Sequence, residues 1–231
     1  MNHAAYAVPH QVRGDKKPGF SPGIRIGFWI CIVIAVAAVI RRVVALVHPS
    51  QSGPPQMVAL DAVFSSHAAL TLAHILPALA FVVLTPFLYL QRSAGKAWSE
   101  RLLFALGMIV VITAYAMSRD SVGGWLERSA VLFFNTIFLF CLIRAWQFRI
   151  TDHVLKLRWM TRAIGVLLGI ATTRPVMGVF FATTRLTHLS PSEFFGIAFW
   201  IGFSINTVMV ELWVRSQAGQ AQLQRLAPRP A

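Results

Sequence analysis

Six long apolar runs constrain this chain more than any other feature. They are Ile24–Val47, His67–Leu90, Arg101–Met117, Arg128–Phe148, Trp159–Ala182 and Phe194–Val214. A helix needs ~20 mostly apolar residues to cross the hydrocarbon core of a bilayer. Inside that core every backbone N–H and C=O must be paired within the segment or around a closed barrel. Barrel strands alternate apolar and polar over ~10 residues. These runs are longer and apolar on all sides. The sequence therefore reads as an all-α, polytopic integral membrane protein: a six-transmembrane-helix bundle over residues 24–215, with tails at 1–23 and 216–231. Gly53-Pro54-Pro55 marks a loop after the first run, and Gly123-Gly124 a turn after the third.

Charge then sets the expected orientation. Only 13% of the 231 residues are charged and 56% are hydrophobic, yet the net charge is +13. Soluble domains carry about 25% charged residues. The basic residues sit in short segments between apolar runs and not on a polar domain. This argues against nucleic acid as a partner and for membrane lipids, with anionic headgroups on the cytoplasmic side. With the N-terminus cytoplasmic, fifteen of the 21 Lys and Arg fall inside, among them Arg13, Lys16, Arg92, Lys96, Arg149 and Arg215. The expected topology has both termini cytoplasmic, in the cell's inner or plasma membrane. The run from Ile24 is too long for a cleaved secretory signal and reads as a retained helix. Trp98, Trp146, Trp159 and Trp213 fall at expected inner ends, where amphipathic rings favour the headgroup level.

Polar residues within the runs are the candidates for function. A helix rises ~1.5 Å per residue, which puts Arg41 and Arg42 roughly 8–9 Å below the outer surface, His74 and Asn135 about 10 Å, and Arg174 about 12 Å. Tyr115, Arg119 and Asp120 lie just above that layer. A basic pocket opening outward would gather His67, His74, Asn135, Arg174, Arg41 and Tyr115. Arg174 precedes Pro175, whose ring removes a backbone hydrogen bond and leaves the carbonyl of Ala171 to be satisfied elsewhere. A guanidinium with five donors can serve free carbonyls or a ligand. For Arg41 and Arg42 the competing reading is snorkelling to headgroups. At the inner boundary Lys156, Arg158 and Arg162 suit phospholipid headgroups. Glu211 stands four residues before Arg215 and is expected to pair with it, while Asp120, Glu127 and Glu193 are expected in outer loops.

A metal or haem reading is less direct. His67 and His74 are seven apart and share one helix face, so they cannot clamp one iron from opposite sides. A b-type haem would need His48 or His188, both expected at the outer surface. Zinc would lack cysteines or nearby carboxylates. Cys31 and Cys141 lie in apolar runs and read as buried thiols. No GxSxG, HExxH or paired catalytic carboxylates occur, and no Gly-rich phosphate loop. The leading expectation is a non-enzymatic protein with an outward-facing pocket for binding, sensing or transport, and no cofactor. The alternative is a membrane redox protein holding b-type haem or quinone through intramembrane histidines.

Two stretches carry a family resemblance: His67 and His74 with Pro77, and His153 followed by Arg158-Trp159-Met160, Arg162 and Arg174. With the Gly123-Gly124 turn between them, the chain resembles an uncharacterised bacterial membrane protein family, domain of unknown function 2306. Val154 stands where that family has Arg after the histidine. The loop Lys96-Ala97-Trp98-Ser99-Glu100-Arg101 lacks its His-Arg pair. The resemblance implies a membrane-helix fold and no assigned chemistry.

Overall fold

The computed structural model describes residues 22–48, 62, 64–90, 97–187 and 191–226, with side chains at 23, 25–48, 62, 64–88, 97–183 and 193–219. The Gly53-Pro54-Pro55 loop, Arg92, Lys96, His188 and residues 1–21 lie outside the described residues. Among the described residues the main α-helices follow in order: α1 (Pro22–Val47), α2 (Ala68–Leu90), α3 (Ala97–Met117), α4 (Gly124–Gln147), α5 (His153–Leu167), α6 (Gly169–Thr187) and α7 (Pro191–Leu226). A 3-10 turn, Ser118–Asp120, links α3 to α4. Among the described residues, six helical stretches are long and apolar enough to cross a membrane, and α5 with α6 makes one of them, His153–Thr183.

Local chemistry explains where the helices start. Pro22 and Pro191 open α1 and α7, where the missing N–H of proline would have had no helical partner. The Asp152 carboxylate caps α5 by accepting from the N–H groups of Val154 and Leu155 at 2.8 and 2.9 Å. Gly124 has φ +59, a left-handed conformation that lets the chain turn tightly into α4. Glu127 reaches back and accepts the Gly123 N–H at 2.6 Å. This corrects the expectation of an outer-loop Glu127: it lies in the first turn of α4 and is buried.

Several spans differ from their hydropathy bounds. α3 starts at Ala97 and α4 at Gly124, both earlier than the apolar runs. The fifth run begins at His153 and is interrupted at Leu168, not at Pro175, which stays within a continuous α6. Tight packing accompanies the interruption. A Cβ on Gly169 would meet the Phe203 ring at 2.5 Å and its Cα at 2.9 Å, and one on Gly202 would meet the Thr173 backbone N at 2.6 Å. The Thr173 hydroxyl donates back to the carbonyls of Gly169 and Ile170, a bond that bends helices. α7 continues as helix through Leu226, where the sequence reads as tail.

The spans form an open ring closed by one helix. α2 packs on α3, α3 on α4, α4 on α5 and α7, and α7 on α6. α1 packs on α2 and α6 and fills the space between them. The central core includes Phe81 against Phe138, edge to face at 5.5 Å, with Leu103, Val110 and Leu142. Large apolar side chains point outward around the ring, among them Ile30 and Val33 on α1, Phe140 on α4 and Leu212 on α7. In water such a belt would drive association; lipid tails are its natural solvent. Below, the near end is where α1 begins and the far end is where it finishes.

Candidate functional site

A cavity of about 630 Å³ lies within the ring toward the far end, lined by residues from all six spans. Small-molecule sites run to about 300–1,000 Å³, with mostly apolar walls and a few placed polar groups. This cavity fits that description. Its walls are aliphatic and aromatic, and Arg41, Arg42, His67, His74, Asn135 and Arg174 interrupt them.

Arg174 dominates the electrostatics. Its side chain lines the cavity, and its Nε is buried with no hydrogen-bond partner. No carboxylate pairs with it among the described residues. The acids of the cavity wall are engaged elsewhere. Glu127 holds the Gly123 N–H, and Asp120 lies 3.8 Å from His67 Nε2. A guanidinium at mid-helix costs ~2.5–3.5 kcal/mol on insertion scales and ordinarily meets protein groups, water or a ligand.

His74 is oriented from outside the cavity. Its Nδ1 lies 3.0 Å from the Thr113 hydroxyl on α3. The same hydroxyl reaches the carbonyls of Ile109 at 2.6 Å and Val110 at 3.1 Å. With its one proton on either carbonyl it accepts from an Nδ1–H of the imidazole, and with that proton on Nδ1 it donates instead. His74 itself lines the cavity. Asn135 is held in a similar way: its Nδ2 donates to the Val111 carbonyl at 3.0 Å, and its amide oxygen has acceptor capacity remaining.

The other candidates separate. Arg41 lines the cavity but is exposed. Arg42 turns inward, is 9% exposed, and lies over the Phe64 ring at 4.0 Å. The sequence ranked these two together because adjacent helical residues share a depth. Tyr115 is not part of the cavity wall. Its hydroxyl pairs with Thr136 at 2.8 Å, and Thr136 is exposed. Helix rotation, which depth does not reveal, puts Tyr115 on that side. His67 sits half-exposed at the far-end mouth with Asp120.

At the near end Lys156 and Arg162 meet carboxylates of the protein. Lys156 is only 4% exposed, and its ammonium donates to Glu100 at 2.6 Å. A nearly buried ammonium requires such a partner, so Lys156 is not presented to headgroups. Arg162 donates to Glu211 at 2.7 and 3.3 Å, and Arg215 donates to the same carboxylate at 2.7 Å. Arg158 is half-buried.

The chain matches no family model, no curated protein and no solved structure. The functional reading therefore rests on geometry. Sequence reasoning missed Thr113 and Glu127. Thr113 reads as one more polar residue in an apolar run until His74, 39 positions away, is seen against it. Among the described residues no group of three His, Cys, Asp or Glu could hold a metal ion.

Proposed function

We propose that this is a multi-pass protein of the inner or plasma membrane that binds a small anionic or strongly polar guest in its far-end cavity, as a sensor or a transporter. In this reading both termini are cytoplasmic and the far end faces outward. The family similar to it, domain of unknown function 2306, is proposed as its family. One observation carries the reading: a cavity-lining Arg174 whose buried Nε has no protein partner. A positive cavity with low-dielectric walls concentrates anions, and an anion accepting from Arg174 would offset the cost of burying it. The test is heat unfolding of detergent-purified protein with acetate, inorganic phosphate or decanoate. At least one should stabilise the wild type and leave Arg174→Leu unmoved. A null result for all three, or equal shifts in both proteins, would overturn the reading.

A second reading follows from the imidazole. Metal-ligating histidines usually donate their other ring N–H to an oxygen, and the tautomer of His74 with hydrogen on Nδ1 would have that arrangement with Thr113. Its Nε2 could meet a haem iron or a quinone oxygen. A Soret band in the purified protein, lost in His74→Ala, would favour this redox reading.

A further inference from the structure

The cavity is elongated, and its polarity is graded along its length. On α2 it extends from His67 to Val82, about 22 Å of helix at 1.5 Å per residue. Its charged wall residues gather toward the far end, with His74 and Asn135 at the next level. Beyond these the walls are apolar: Leu79, Val82, Phe138, Val166 and Phe203. A small inorganic anion would use only the charged end and leave this apolar length unfilled. A volume of about 630 Å³ lies within the range for one small-molecule guest. One leaflet's hydrocarbon is about half of a ~30 Å core, so the depth suits a lipid tail.

The ring architecture gives such a tail a path. Among the described residues α2 and α6 make no extensive contact with each other, and α1 lies between them, packed on both. Its cavity side carries three small residues, Ala35, Ala37 and Ala38, between Ile34 and the pair Arg41 and Arg42. Its other side carries exposed Ile30, Val33 and Ile40. Small displacements of this one helix would join the cavity to the bilayer.

We propose that the guest is a single-chain amphiphile with an anionic head, the head beside Arg42 and Arg174 and the tail along the apolar length toward Val82 and Phe203. The inference rests on the anion-binding reading above and adds the tail. The experiment is native mass spectrometry of the full chain released from phosphatidylcholine nanodiscs, loaded with palmitate, butyrate, 1-hexadecanol or phosphatidylglycerol. Palmitate adducts should exceed those of the other three by about tenfold or more: butyrate lacks the tail, hexadecanol lacks the charge that meets Arg174, and phosphatidylglycerol carries a second chain for which a cavity of about 630 Å³ has no room. Ala38→Phe should reduce palmitate toward the butyrate level and leave butyrate unchanged. Butyrate or phosphatidylglycerol equal to palmitate would overturn the single-chain inference and leave the anion pocket standing. Hexadecanol equal to palmitate would overturn the anion pocket itself. If Ala38→Phe does not fold, the wild-type series decides alone.

Discussion

At the near end, Lys156, Arg162 and Arg215 each lie on a carboxylate, Glu100 or Glu211. Arg144, Arg149 and Arg162 also lie over the rings of Phe148, Trp146 and Trp159. At the far end, Arg174 lines a cavity with a buried, unpartnered Nε, and the nearby carboxylates serve Gly123 and face His67. Both ends place cations in apolar surroundings. Where protein acids and rings complete the cation, its role is to join helices. Where they do not, room remains for something brought from outside.

The largest expected effect tests the paired end. Lys156→Met strands the Glu100 carboxylate and should cost about 3–5 kcal/mol in unfolding from mixed micelles. The double change with Glu100→Gln should recover most of that loss, since replacing both partners of a buried pair is often near neutral. A small loss in the single variant would remove the contrast between the ends.

Arg174→Leu tests the other side. Stability in the absence of guest should hold or rise, because a buried donor without a partner is removed. Guest affinity should fall by about 10–100-fold, the worth of a charge-assisted hydrogen bond at ~1.5–3 kcal/mol. A double-mutant cycle with His74→Ala should show coupling near zero without guest and at least about 0.5 kcal/mol with it. Strong destabilisation by Arg174→Leu would make this residue a structural clamp like Lys156.

Thr113→Val should be milder. It removes the hydroxyl that hydrogen-bonds His74 and should cost about 1 kcal/mol of stability, with weaker guest binding and an unchanged near end. Equal guest affinity in variant and wild type would show that His74 orientation is unimportant. The smallest effect is expected at Arg215→Gln. Its partner Glu211 keeps Arg162, and an exposed i,i+4 pair contributes about 0.3–0.5 kcal/mol, measurable in the same unfolding assay. A loss comparable to Lys156→Met would mean that exposure does not rank these pairs.

The sequence by itself determined that there are six apolar helical spans, and it ordered their polar residues along each helix. Apolar length forces a helix across the bilayer, and position along a helix converts directly to depth. On that basis His74, Asn135, Arg174 and Arg41 were placed in one layer, and all four line the cavity. Tertiary structure decided which way each side chain turns. A helix apolar on all sides carries little signal for its inward face, so neighbouring Arg41 and Arg42 divide between exposed and buried, and Tyr115 goes to Thr136 instead of the cavity. The pairs that set the contrast join distant parts of the chain: Lys156 with Glu100, Arg162 with Glu211, His74 with Thr113. Helical spacing reveals a partner at i+4, as it did for Glu211 and Arg215. It is silent about a partner on another helix, because that depends on how each helix is rotated and which neighbour it meets.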